Sequence, residues 1–221
     1  MDETDGFGHN PSSASAGAAL RTLKEACMGG LLRFLIALIL GAAVGVGSAL
    51  WLIREGPSWG GAEVGGWTGS IAAGSASADP YTRAIVAARG LLALSANEAV
   101  YFSRSADAEG APLREACVYR VSGSAPPARW WSLTAYAPDE FLPQNDDQAL
   151  SYDATRAGDG PFRVQVGGER PADGAWISTR SAGTPITLML RLYHPNPSLL
   201  SSPSDWQAPR IETVNCAEDG A

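Results

Sequence analysis

The sequence predicts a mainly β protein: an antiparallel β-sandwich, jelly-roll-like, with one flanking α-helix, preceded by a single transmembrane helix. Three observations predict it. Short runs of alternating apolar and polar residues recur through the second half of the chain, separated by Gly- and Pro-rich turns. One helical pattern, opened by Asp79-Pro80, precedes that series. Residues 34–53 carry no charge at all.

The 221 residues suit one globular domain with an appendage. Gly (25) and Pro (15) are abundant, yet 45% apolar residues and seven Trp supply a core. The formal charge of -7, with no basic run after the apolar segment, argues against nucleic-acid binding, which needs a clustered positive surface. Lys24 is the only Lys beside many Arg, which fits a compositional bias better than an Arg-rich ligand site.

Residues 1–30 read as a cytoplasmic tail: 1–19 are Ser/Ala/Gly/Asp-rich without periodicity, and 21–28 suit a short helix. Residues 31–54 form the span. Its twenty uncharged residues at about 1.5 Å each cover roughly 30 Å, the thickness of a bilayer's hydrocarbon. Arg33 and Arg54 bracket it, and Trp51 suits the interface. Gly41, Gly45 and Ser48 recur near helical spacing, as a helix–helix contact or as plain lipid-facing residues. Arg21, Lys24 and Arg33 before the span outnumber Arg54 after it, so the N-terminus is expected in the cytoplasm and the rest in the periplasm, on the bacterial inner membrane. The competing reading is a cleaved signal peptide with Gly47-Ser48-Ala49 as its small-residue site.

Residues 55–78, Gly/Ser/Ala-rich with Trp59 and Trp67, read as a linker, and 79–221 as the exported domain. Asp79 as N-cap and Pro80 at the first helical position start a helix whose apolar stripe is Tyr81, Ile85, Ala88 and Leu92. Ser95-Ala96-Asn97 stops it. Strands follow at 98–103, 116–122, 129–136, 162–166, 176–179, 186–193 and 209–216. The strand from Arg129 to Tyr136 is the most informative. Period-two alternation puts Trp131, Leu133 and Ala135 on one face and Trp130, Ser132, Thr134 and Tyr136 on the other. In 186–193, Ile186, Leu188, Leu190 and Leu192 oppose Thr187, Met189, Arg191 and Tyr193.

Trp130, Ser132, Thr134 and Tyr136, with Arg191 and Tyr193 if the two strands are neighbours, would form an aromatic-floored, hydroxyl-lined patch with one fixed cation. Such a patch suits a glycan or a small anionic ligand. The alternative is a second core layer, covered by the Asp79 helix or a second sheet. Cys117 and Cys216, both beyond the span, are the simplest disulfide pair in an oxidising compartment. No Cys/His cluster has metal-ligand spacing, so no metal and no cofactor are expected; Asp146, Asp147 and Asp153 lack the calcium-loop pattern. No catalytic residue can be assigned. A Ser-His-Asp triad would have to use His194 at a strand end, and Asp139 and Glu140 are adjacent in a turn, so their side chains diverge.

The run 79–199 resembles the bacterial domain of unknown function family 1214. The matching residues are Asp79-Pro80-Tyr81-Thr82-Arg83-Ala84, Trp130-Trp131-Ser132-Leu133-Thr134-Ala135-Tyr136, Phe141-Leu142-Pro143-Gln144-Asn145 and Leu188-Met189-Leu190-Arg191-Leu192-Tyr193-His194-Pro195. The resemblance implies a β-rich fold and brings no established reaction. The expected function is that of a single-pass, membrane-anchored envelope protein whose periplasmic domain binds a ligand or partner. The alternative is an envelope hydrolase acting on a glycan or ester.

Overall fold

The computed structural model describes residues 12–55, 61–71, 74–75, 78–88 and 94–217. The chain divides into two compact units, Met1–Arg54 and Glu55–Ala221.

The first unit is one helix, α1 (Ser12–Glu55), which therefore begins inside the stretch expected to be an unstructured tail; residues 1–11 lie outside the described ones. Within it, Gly30–Trp51 is long and apolar enough to cross a membrane, a property that anchors share with signal sequences. Its large apolar side chains, Phe34, Ile39 and Val44 among them, are exposed all round. Water would penalise each by about 25 cal/mol per Å² of apolar surface, whereas hydrocarbon would not.

In the second unit the elements are, in chain order, β1 (Gly61–Val64), β2 (Trp67–Ser70), α2 (Pro80–Ala88), β3 (Ala99–Arg104), β4 (Cys117–Gly123), β5 (Ala128–Tyr136) and β6 (Ser151–Asp153). Then come α3 (Ala154–Ala157), β7 (Phe162–Gly167), β8 (Ala175–Ser178), β9 (Thr187–Pro195), α4 (Pro197–Ser201) and β10 (Arg210–Cys216). They build two sheets. One has six strands in the order β1-β2-β3-β9-β5-β6; the other has four, β10-β4-β7-β8. All pairings are antiparallel except β7–β8, which run parallel, so the small sheet is mixed where antiparallel pairing was expected.

Every strand expected from alternation is present. Side chains that point inward from both sheets form one core cluster: Phe102, Trp131, Leu133, Leu188, Leu190 and Leu192 from the large sheet meet Tyr119, Val121, Val164, Val166, Ile177 and Ile211 from the small one. Trp131 lies 4.6 Å from the Phe162 ring, an aromatic contact that joins the sheets.

Two expectations change. Residues 61–70, expected in a linker, form a hairpin that extends the large sheet through β2–β3. Gly65 and Gly66, at φ 57° and 81°, make the two-residue turn that suits a right-twisted hairpin. Gly69 lies so close to β3 that a Cβ there would stand 2.5 Å from the Tyr101 carbonyl oxygen. Trp67 is fully buried, and its indole N–H donates to the Pro209 carbonyl at 2.7 Å. Trp59 lies outside the described residues.

The helix α2 starts where expected. The Asp79 carboxylate accepts the Tyr81 and Thr82 backbone N–H groups and the Thr82 hydroxyl; that hydroxyl, then the Thr82 N–H, holds its carboxyl below the usual range. Of the helix's expected stripe Tyr81 is exposed, while Leu92 and the side chains of Ile85 and Ala88 lie outside the described ones; Ala78, Thr82 and Val86 are buried. The Thr82 hydroxyl, tied to the cap, sits comfortably inside; the Tyr81 ring can stay in solvent.

Two polar hubs tie the sheets' ends. Arg104 gives its donors to the carbonyls of Gly65, Ala106 and Asp107, which clamps the hairpin turn onto the loop after β3. Buried Asp107 accepts from the Thr213 hydroxyl at 2.6 Å and from the Glu109 and Ala111 backbone N–H groups. Burial resists ionisation of this carboxyl, but those hydrogen bonds outweigh it and hold the group below the usual carboxylate range.

Candidate functional site

The two strands that carry the expected patch are neighbours. In the β5–β9 register Trp130 stands opposite Tyr193, Ser132 opposite Arg191, Thr134 opposite Met189 and Tyr136 opposite Thr187. Because their alternate partners are all inward, the six expected residues share the outer face of the large sheet. β3 extends the row on the far side of β9, where Tyr101 faces Arg191.

Arg191 is the centre of this face. Its Nη1 donates to the Thr134 hydroxyl at 2.9 Å and its Nη2 to the Tyr136 hydroxyl, and its guanidinium carbon lies 5.4 Å from the Tyr136 ring centre. Among the described residues it forms no ion pair, although the side chain is half-buried. One strand-step away, the Trp130 and Tyr193 rings lie 5.4 Å apart, and the Trp130 indole N–H donates to the Thr155 hydroxyl at 3.1 Å. Burial pushes the Tyr101 phenol up, Tyr193 adds to the shift and the Arg191 charge opposes it.

Burial is graded across the face. Ser132, Thr134 and Met189 are buried, Tyr136, Arg191 and Tyr193 are half-buried, and Trp130 is 37% exposed. The small sheet packs on the opposite, inner side. Tyr101 was not singled out from the sequence. Its outward position was legible, since Val100 and Phe102 point inward, but its place beside Arg191 depends on a pairing between strands some ninety residues apart.

The other sequence candidates have separate tasks. Cys117 and Cys216 are register partners of β4 and β10 and form a disulfide. Asp153 caps α3 by accepting from the Thr155 and Arg156 N–H groups, while Asp147 accepts from Ser178 at 2.6 Å and pairs with Arg180 at 3.2 Å. Asp139 accepts the Phe141 N–H within its turn. His194 is exposed at the end of β9 with φ 47°, its backbone N–H donating to the Glu98 carbonyl.

Residues 98–197, which run from the start of β3 past the end of β9 and so contain the whole Arg191 row, match the family model of proteins of unknown function DUF1214. Over those residues the chain is similar to the DUF1214 family. The β1–β2 hairpin and β10 lie outside the matched segment yet complete the two sheets around it. In structure the chain is similar to the VPA0106 protein from Vibrio parahaemolyticus, at 23% identity and a TM-score of 0.50, over 63% of this chain and 36% of that one. It also matches an uncharacterized protein from Burkholderia cenocepacia at 16% identity and a TM-score of 0.43, over 69% and 35% of the two chains. The chain thus spans about a third of the length of these structures, and the first likeness is one of fold alone. No curated protein matches it.

Proposed function

We propose that this chain is a single-pass protein of the bacterial inner membrane whose DUF1214 domain, a β-sandwich in the periplasm, binds a small anionic or glycan-like ligand on the outer face of its large sheet. The observation that carries the reading is the half-buried Arg191 guanidinium, held by two hydroxyls and paired with no carboxylate among the described residues. A half-buried cation without a counter-charge has lost hydration and gains by meeting an anion. Trp130 and Tyr193 beside it offer a surface on which a sugar ring or another flat body stacks.

The anchor and its orientation are supported by the exposed apolar helix, by Arg21, Lys24 and Arg33 ahead of it, and by a disulfide that suits an oxidising compartment. The shared core of the two sheets supports the sandwich.

The test is calorimetric titration of the full-length chain in detergent micelles with citrate and glucose. Binding of citrate that disappears in Arg191→Ala supports the site; binding unchanged by Arg191→Ala and by Trp130→Ala sinks it. A C-terminal alkaline phosphatase fusion, active only when exported, tests the topology, and an inactive fusion overturns it.

A further inference from the structure

A cleft of about 620 Å³ opens on the other sheet, where the end of β4, the start of β7 and the chain entering β10 meet. Its lining includes Arg163, Arg210, Ser122, Ser124 and Gln207. The register explains why they converge: Ser122 of β4 pairs with Arg210 on one side and Arg163 on the other. Adjacent strands lie about 4.8 Å apart, so the two arginines stand on one row with a serine hydroxyl between them.

The charges around this row do not cancel. Arg210 is held by Glu109 and Glu212, each at 3.2 Å, through Nη2 and Nε, and Arg120 reaches Glu212 at 4.0 Å. Three guanidiniums therefore face two carboxylates, and exposed Arg163 forms no ion pair among the described residues. An unmatched cation at a cleft, on a chain of formal charge -7, marks a place where an anion gains and the rest of the surface repels it. The volume falls in the range that holds small ligands.

A second cleft of about 380 Å³ continues from the first and shares Ser124 and Gln207 with it. Serine hydroxyls from α4 and the following turn line it, with Trp206 and Asp205. The two clefts therefore differ in charge: the first is lined by cations, the second by hydroxyls, an indole and a carboxylate.

We infer that this groove binds a polyhydroxylated molecule with a single oxyanion head, such as a sugar phosphate or sugar acid. Arg163 and Arg210 take the head, the Ser122 and Ser124 hydroxyls complete its coordination, and the neutral hydroxylated body lies along the second cleft. Asp205, in the lining of that second cleft, repels a second anionic group there. This site is independent of the Arg191 face, which lies on the other sheet.

The experiment is titration of the full-length chain in detergent with glucose 6-phosphate, glucuronate, inorganic phosphate and fructose 1,6-bisphosphate, repeated in Arg163→Ala, Arg163→Lys and Arg191→Ala. The inference expects glucose 6-phosphate or glucuronate to bind more tightly than inorganic phosphate or the bisphosphate. The first two probes distinguish a phosphate head from a carboxylate one. Arg163→Ala should weaken that binding about tenfold or more, as expected for a lost charged hydrogen bond, with Arg163→Lys between and Arg191→Ala unchanged. Failure of both headed sugars to bind, or binding that survives Arg163→Ala, overturns the inference. Binding lost in Arg191→Ala but not in Arg163→Ala assigns the ligand to the other face and overturns it as well.

Discussion

The two faces of β5 come from one nine-residue strand and obey different physics. Trp131, Leu133 and Ala135 point inward and are buried to within 2% of their surface; nothing beyond apolar burial is needed to account for them. Trp130, Ser132, Thr134 and Tyr136 point outward, and there a large aromatic is partly exposed while two hydroxyls are buried. Packing alone would arrange these the other way round. The difference teaches that polar bonds, not apolar burial alone, arrange the outer face: Arg191 holds the Thr134 and Tyr136 hydroxyls, and Thr155 holds the Trp130 indole.

The comparison breaks first, and most severely, on its two tryptophans. Trp131→Ala should destabilise the domain by about 3–5 kcal/mol, since it empties the contact with Phe162 that joins the sheets. Trp130→Ala should change stability by less than about 1 kcal/mol. Chemical denaturation of the purified full-length variants measures both, and equal losses would erase the distinction between the faces.

Next in size is the disulfide, which supports the inner layer by fixing β4 to β10. Replacing Cys117 and Cys216 by Ser opens a closure of 99 residues in separation, and should lower stability by roughly 2–4 kcal/mol. Denaturation of the double variant beside the oxidised wild type reads the difference.

A smaller effect separates polar from apolar support. Because the Asp107 carboxyl is held below its ordinary value in the fold, its contribution is complete above the ordinary carboxylate range. That contribution declines as the pH drops below that range and is gone once the pH has passed the lowered folded value. Stability measured against pH should therefore fall more steeply on acidification in the wild type than in Asp107→Asn, and parallel curves would show that the bonds to Thr213, Ala111 and Glu109 do not couple to folding.

The smallest effect on stability and the largest on function belong to Arg191→Ala. Removing the guanidinium frees the Thr134 and Tyr136 hydroxyls and one ring contact, so the thermal midpoint should move little while citrate binding is lost. A large fall in the midpoint would make Arg191 a structural residue instead.

Much of this was legible in the sequence for a physical reason. β4, β7 and β9 alternate because one face of each meets the core and the other does not. The hairpin at 61–70 was missed because glycine richness reads as slack. The Gly65-Gly66 pair between Ala62-Glu63-Val64 and Trp67-Thr68 was the available signal. β6, with three residues, and α3, with four, are too short to show a period. In α2, Tyr81 and Thr82 competed for the inward position, and hydrophobicity chose the wrong one because the hydroxyl of Thr82 is already bonded to Asp79. The Arg191 face was half legible: the residues could be assigned to one side of each strand, but not the strands to each other. The Arg163–Ser122–Arg210 row was not legible, since its three members lie on strands that only the fold brings side by side.

The position of β9 has a further consequence for how the chain is made. It lies between β3 and β5 and bonds to both, yet it leaves the ribosome after either of them, more than fifty residues behind the end of β5. Until Thr187–Pro195 is delivered, β3 and β5 each wait with an open edge that invites pairing with a stranger. The β1-β2-β3 half and the β5-β6 pair can form in advance, but nothing joins them until β9 arrives. The nascent domain therefore needs shelter for its whole length, and a stop codon placed just before Thr187 should yield sticky, unpartnered strands in place of a smaller folded core.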